Sequence, residues 1–139
     1  MPKNKKATPE QTEVPIKWGD DVAEHDYAAA HAYMSLKLPA DATEKVVTRL
    51  RKAELTTRRA NDILRAAGLD PAPLDDPGVV KDLIKVIEGR PLSPVLVLGG
   101  VDGTDIADGF HRVSLVYRLD PFGVVPLKLA DVTGSSATG

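Results

Sequence analysis

Apolar residues recur at helical spacing through the first two-thirds of the chain and predict four helices. The alanine-rich range 22–37 contains no glycine or proline and predicts the first helix. Further apolar stripes predict helices over 41–53, 56–67 and 77–88. The predicted inward-facing positions are Val22, Ala29, Tyr33 and Leu36 in the first helix, Val46, Val47, Leu50 and Ala53 in the second, and Val80, Leu83, Ile84 and Ile87 in the fourth.

Residues typical of helix ends mark three of these boundaries. Asp41 and Glu44 have the spacing of a capping box at the start of the second helix. Asp76 followed by Pro77 is a common helix start, because the carboxylate caps and proline needs no hydrogen-bond partner. Gly68 suits a left-handed ending of the third helix. The first two-thirds of the chain is therefore predicted to be all helical.

Beyond Pro91 the pattern becomes that of strands. A β-branched run over 95–98, a glycine- and aspartate-rich turn and a second short run ending at Ala107 predict a hairpin. A helix over 110–119 and a closing strand over 124–130 follow. The fold class predicted is α+β, with a helical part packed on a small sheet whose C-terminal unit runs strand, turn, strand, helix, strand.

The length of 139 residues is that of one ordinary domain. We expect a single domain over 16–131, divided into a helical part over 20–90 and a second part over 91–131. The ends, 1–15 and 132–139, are rich in small and polar residues, and we expect them to be disordered tails.

Composition excludes several functions. The chain has no cysteine, which excludes disulfides, thiolate nucleophiles and cysteine-ligated zinc. The three histidines are too scattered for a local zinc motif, so we expect no metal ligands, no zinc and no haem. No apolar run approaches the roughly 18 residues of a membrane span, and we expect a cytoplasmic protein without a membrane partner. The net charge of −2 argues against a surface that binds nucleic acid as a whole.

The most suggestive chemistry lies at the predicted corner between the second strand and the fifth helix, in the stretch DGFHRVS over 108–114. A helix N-terminus has unpaired N–H groups and attracts anions. Gly109 lets a ligand approach the backbone, and His111, Arg112 and Ser114 add donors in the first turn. An alternative stays open, in which Asp108 only caps the helix and Arg112 is only a surface charge.

The range 92–130 resembles the ParB/sulfiredoxin superfamily, in which a strand ends in a D-G-x-H-R motif before a helix and another strand. The resemblance implies that this corner holds the phosphates of a nucleotide of the CTP or ATP type, with or without Mg²⁺. It implies that Gly109 admits the phosphates, that His111 and Arg112 contact them, and that Asp108 shapes the turn. A homodimer is left open as well.

Phe110 departs from the family pattern. It stands where sulfiredoxins have their reactive cysteine, and a phenyl ring is no nucleophile, so sulfiredoxin activity is excluded. It also argues against CTP hydrolysis, for which ParB proteins commonly have a glutamate there. An enzyme of this kind would be a nucleotide hydrolase or phosphotransferase, and its catalytic residues stay unassigned. The predicted phosphate-binding residues are Asp108, Gly109, Phe110, His111, Arg112 and Ser114, with Ser93, Arg58 and Arg59 as secondary candidates.

The basic range 45–65 supports an alternative function. Lysine and arginine outnumber acids there, and the cluster over 56–59 between two predicted helices loosely resembles a helix-turn-helix. The alternative is a DNA-associated or partner-binding module with a vestigial nucleotide site. Arg58 or Arg59 would equally serve as a wall of the phosphate pocket.

Overall fold

The computed structural model describes residues 15–100 and 103–132, and these residues form an α+β fold, as predicted. Of the two predicted tails, only Pro15 and Val132 lie within the described residues. Val132 belongs to the body of the fold, because its N–H donates to the carbonyl oxygen of Gly99 at 2.8 Å. The helices are α1 (Glu24–Met34), α2 (Ala40–Lys52), α3 (Ala60–Ala67), α4 (Pro77–Ile87) and α5 (Phe110–Leu119), and the strands are β1 (Leu55–Arg59), β2 (Val95–Gly99), β3 (Asp105–Asp108) and β4 (Val124–Asp131).

The four strands form one mixed sheet in the order β1-β4-β2-β3. The predicted hairpin is confirmed, since β2 and β3 pair antiparallel. Strand β4 lies parallel to β2, and α5 lies on the crossover that a parallel pair requires. Strand β1 pairs antiparallel with β4 at the far edge. The corner between β3 and α5 therefore lies at the end of the other edge strand, beside β2.

Helices cover both faces of the sheet. Side chains alternate along a strand, so the apolar residues of β2 face helices on both sides. Leu96 and Leu98 of β2 pack under α1 and α2. Val95 and Val97 of the same strand pack under α3 and α5. Helix α4 lies on α5, where Val79 and Val86 join a third apolar cluster with Leu115. A strand buried on both faces explains the continuous apolar run of β2.

One prediction about the fold is wrong. Residues 56–59 were expected to begin the third helix, but they belong to the edge strand β1, and α3 begins only at Ala60. The partner of this strand is β4, with Thr57 opposite Pro126. Two adjacent threonines favour an extended backbone, but the strand that pairs with them lies far along the chain. The likeness to a helix-turn-helix is removed as well, because a strand separates α2 from α3.

The buried faces of two helices also differ from the prediction. Helix α1 buries Tyr27, Ala30 and Met34, whereas Leu36 lies beyond its end and is exposed. An alanine-rich helix has little apolar contrast between its faces, so periodicity cannot orient it. Helix α4 buries Val79 and Val86. In that helix valine and isoleucine lie on both sides, and Ile84 and Ile87, which were predicted to point inward, are exposed.

Of the helix-start predictions, the Asp76 cap is confirmed and the capping box of α2 is wrong. Asp76 caps α4 as predicted, with its Oδ2 accepting from the N–H of Gly78 at 2.9 Å. The capping box of α2 is wrong: Pro39 is the cap residue, and Glu44 instead lies with its Oε2 2.7 Å from His31 Nε2. Proline before the helix places the helix start one residue earlier, so Asp41 falls inside the first turn. Over the described residues, no helix has both the length and the apolar character of a membrane span.

Candidate functional site

The corner between β3 and α5 turns on Gly109, which has φ of 116°. A Cβ atom there would lie 2.4 Å from Cγ1 of Val95, so this position needs glycine for both its backbone conformation and its packing. Among the described residues, no side chain caps the N-terminus of α5. The N–H groups of the first turn therefore have no side-chain acceptor among the described residues.

A cleft of about 390 Å³ opens beside this corner, between α1 and α4. Five of the predicted site residues line it: Ser93, Asp108, Gly109, His111 and Arg112. The sequence did not single out the other lining residues, which come from the start of α1, from one face of α4 and from the segment before β2. They are Ala23, His25, Asp26, Gly78, Lys81, Asp82, Lys85, Pro91 and Leu92.

Arg112 is held inside the protein by two carboxylates. Its Nη1 donates to Oδ2 of Asp26 at 3.0 Å, and its Nη2 donates to Oδ2 of Asp108 at 2.6 Å. Nη1 also donates to the carbonyl oxygens of Ser93 and Pro94. Only 11 % of the side chain is exposed. We call this arrangement the Arg112 clasp, comprising Asp26, Asp108 and Arg112; it joins α1 to the β3–α5 corner.

Two carboxylates in the cleft hold protons more tightly than an exposed aspartate does. Burial raises the pKa of Asp108, the Asp26 carboxylate raises it further, and the Arg112 guanidinium opposes both. Burial also raises the pKa of Asp82, against the opposing charges of Arg112, Lys85 and His111.

His111 lies between the N-termini of α4 and α5. Its Nε2 is 3.2 Å from Oδ2 of Asp76, the residue that caps α4. The imidazole ring rests on Gly78, where a Cβ atom would lie 2.7 Å from the ring. The side chain is about half exposed. His111 is thus positioned by α4 and still reaches solvent at the mouth of the cleft.

Two predicted site residues point away from the cleft. Ser114 is fully buried, and its Oγ accepts from the N–H of Ala72 at 2.9 Å. Phe110 packs against two of the apolar clusters and does not line the cleft. Both side chains lie on the core side of α5. The prediction counted proximity along the chain, whereas a helix distributes successive residues around its axis.

Helix α4 supplies cations that the sequence did not assign to the site. Lys81 and Lys85 are one turn apart on the face that borders the cleft. Neither has an ion-pair partner within 4.0 Å among the described residues. Asp82 lies on the same face. Once Val79 and Val86 are known to point inward, this face of α4 follows from the helical period alone.

The secondary candidates Arg58 and Arg59 do not line the cleft, because both lie on the edge strand β1. Nη1 of Arg58 donates to the carbonyl oxygen of Thr57 at 2.9 Å. Three other arginines of the basic range 45–65 have partners within the protein: Arg49 donates to the carbonyl oxygens of Asp131 and Val132, and Arg51 and Arg65 form exposed pairs with Glu24 and Asp62. Ser93, by contrast, lies at the cleft, but its Oγ accepts from the N–H of Ala23 at 3.0 Å.

The carboxylates of the cleft do not form a cage for a metal ion. In the ranges 15–100 and 103–132, no three histidine, aspartate or glutamate side chains come together in a way that holds a metal. A Mg²⁺ ion that arrives with a nucleotide keeps most of its ligands from phosphate and water, so the residues present neither require nor build a resident metal site.

Comparison with known proteins assigns this chain to no group. No family model matches it, and neither the curated proteins nor the solved structures contain a match.

Proposed function

We propose that the cleft binds a nucleotide or another phosphorylated small molecule. The observation that carries the proposal is the pair Lys81 and Lys85, which have no ion-pair partner among the described residues and line the same cleft as the uncapped N-terminus of α5. Backbone N–H groups on one side and ammonium groups on the other are complementary to phosphate oxygens. His111 adds a donor at the mouth.

The size of the cleft is consistent with such a ligand. Its volume of about 390 Å³ lies within the range of small-molecule sites, roughly 300–1,000 Å³. Pro91, which is exposed, gives one wall an apolar surface that suits a nucleobase or sugar. The resemblance to the ParB/sulfiredoxin superfamily led to the same corner from the D-G-x-H-R motif, and a ligand of the CTP or ATP type is the natural first probe.

In this proposal Arg112 is a positioning residue. Its guanidinium already donates to two carboxylates and to main-chain carbonyl oxygens. Phosphate oxygens would have to displace those acceptors. We therefore assign phosphate contact to the N–H groups of α5 and to Lys81, Lys85 and His111, and we assign to Arg112 the task of holding the corner in place.

The double variant Lys81→Ala/Lys85→Ala tests the proposal. Binding of CTP, ATP and GTP to the full chain is measured by titration calorimetry, with and without Mg²⁺. We expect the variant to bind the preferred nucleotide at least about tenfold more weakly, because charge-assisted hydrogen bonds are lost. Lys45→Ala/Lys52→Ala on α2 is the matched control: it removes the same charge from exposed positions outside the cleft.

The control variant should change Kd by less than about threefold, because it removes only the long-range attraction that salt has not screened. Equal weakening in the two variants would mean that the lysines act through net charge only, and the site would then lie elsewhere. Absence of binding by the parent protein for every nucleotide tested would refute nucleotide binding. Release of inorganic phosphate in the same samples decides between binding alone and hydrolysis.

A further inference from the structure

The floor of the cleft carries more negative than positive charge. The Arg112 clasp holds one guanidinium and two carboxylates, so with both acids ionised its net charge is −1. On the α4 wall Asp82 adds one carboxylate and Lys81 and Lys85 add two ammonium groups, so the excess negative charge is that of the clasp itself. The clasp lines the same cleft as the N-terminus of α5, where the proposed function places an anion, and its Asp108 immediately precedes the cap residue Gly109.

An anion at the α5 N-terminus is repelled by this floor. Arg112 cannot relieve the repulsion by turning to the ligand, because it would leave Asp108 and two carbonyl oxygens without their donor and Asp26 with His25 alone. Addition of one proton to the clasp removes the excess charge and leaves the guanidinium in place. The protonated carboxyl also gains an O–H that can donate to a ligand oxygen.

Asp108 is the acid placed to take that proton. Each carboxylate oxygen of Asp26 already has a partner: Oδ1 lies 3.2 Å from His25 Nε2, and Oδ2 accepts from Arg112. Asp108 has only Arg112 as an ion-pair partner among the described residues, and it immediately precedes Gly109 at the helix start. The direction of its pKa, raised by burial and by Asp26, agrees with this choice.

We infer that anion binding in this cleft is coupled to the uptake of one proton by Asp108, so that the protein selects its ligand together with a proton. The inference rests on the proposed function. The charged and titratable groups that face Asp108 and the cleft are His25 and Asp26 of α1, Asp76 at the start of α4, Lys81, Asp82 and Lys85 of α4, and His111 and Arg112 of α5.

The consequence for affinity has a definite sign. The bound anion favours protonated Asp108, so affinity rises as the pH falls, by at most tenfold per pH unit for one proton. His111 would also favour an anion when it gains a proton, and it has to be separated from Asp108 by mutation. Asp108→Asn imitates the protonated acid, and we expect it to bind anions at neutral pH as tightly as the parent does at acidic pH.

Sulfate is the probe, because it stays fully ionised across the range in which carboxyl and imidazole groups titrate. Its binding to the full chain is followed by amide chemical shifts in two-dimensional NMR from pH 5 to pH 8 at constant ionic strength. The proteins compared are the parent, Asp108→Asn, His111→Gln and the control Asp70→Asn, an exposed acid outside the cleft.

We expect sulfate affinity to rise toward acidic pH in the parent, in Asp70→Asn and, at weaker overall affinity, in His111→Gln. In Asp108→Asn the carboxyl part of this rise should be absent. If Asp108→Asn perturbs the fold in the NMR spectrum, Asp26→Asn replaces it, because neutralising either acid removes the excess charge. A pH dependence identical in the parent and the Asn variant overturns the inference alone, with anion binding intact. No sulfate binding at any pH overturns it too, and the nucleotide titrations then decide the proposed function separately.

Discussion

Asp82 is the one acid of the cleft that has no hydrogen-bond or ion-pair partner among the described residues. Its pKa is raised chiefly by burial. The folded state therefore binds a proton at Asp82 more readily than the unfolded state does. Such a group contributes stability below its unfolded pKa of about 3.9 and loses that contribution as the pH rises through its folded pKa.

Removal of this charge should stabilise the protein at neutral pH. We expect Asp82→Asn to raise Tm at pH 7 by about 3 °C, equivalent to about 1 kcal/mol for a domain of this size, and to leave Tm at pH 3.5 unchanged. Differential scanning calorimetry at both pH values measures the effect. Asp70→Asn, at an exposed position away from the cleft, should change neither value. A lower Tm for Asp82→Asn at pH 7 would show that the carboxylate has a stabilising partner.

The candidate site was predictable only in part, because some of its residues are neighbours in the sequence and others are far apart. The D-G-x-H-R stretch placed Asp108, Gly109, His111 and Arg112 at the cleft because a strand-to-helix corner can be recognised locally. Asp26 was missed because its partner Arg112 lies 86 residues further along the chain. Nothing in an alanine-rich helix marks one acid as buried.

Two glycines of this protein separate two requirements for glycine, a positive φ and the absence of room for a Cβ atom. Gly68 ends α3 with φ of 69° and has open space where a Cβ would stand, whereas Gly109 has positive φ and lies against Val95. We expect Gly68→Ala to lower the free energy of unfolding by about 1 kcal/mol, from backbone strain alone. Gly109→Ala should lower it by about 3 kcal/mol, because overpacking against Val95 is added.

Urea denaturation of the two variants measures the difference. The double variant Gly109→Ala/Val95→Ala tests its origin: if the contact with Val95 is responsible, the second substitution should destabilise the Gly109→Ala protein less than it destabilises the parent. Equal losses for Gly68→Ala and Gly109→Ala would mean that the packing at the corner relaxes freely, and the rigid corner assumed for anion binding would be lost.

Helices and strands were predictable where local signals and packing agree. Helix α5 and strand β4 lie close to their predicted bounds, because Gly109 and Pro121 limit the helix and the strand is rich in β-branched and apolar residues. Strand β1 was missed because its pairing with β4 is its main stabilisation, and a partner so distant leaves no local pattern. The inward faces of α1 and α4 were misplaced because apolar residues lie on more than one side.

Three apolar clusters surround one sheet, and the Arg112 clasp crosses between them. Asp26 belongs to α1, which packs on one face of the sheet, and Arg112 belongs to α5, which packs on the other. The guanidinium passes the end of the sheet beside Ser93 and Pro94. A contact of this kind holds the two helical layers together, so its loss should lower the stability of both layers.

Arg112→Met tests this coupling and should be strongly destabilising at neutral pH. It leaves Asp108 as a buried carboxylate without its cation and Asp26 with His25 alone, and we expect the free energy of unfolding to fall by about 3 kcal/mol at pH 7. Asp108 then loses the guanidinium that opposes the rise of its pKa, so the loss relative to the parent should shrink as the pH falls toward about 4, the unfolded pKa. Arg118→Met is the matched control on the same helix, since Arg118 donates only to the carbonyl oxygens of Pro71 and Ala72 and its removal orphans no charge. In urea titrations Arg118→Met should lose about 1 kcal/mol of unfolding free energy, and this loss should be the same at both pH values. Hydrogen exchange should show faster opening of α1 in Arg112→Met but not in Arg118→Met. If the loss in Arg112→Met is independent of pH and α1 keeps its protection, the guanidinium stabilises the corner by packing alone, and the two layers are held together by the sheet between them.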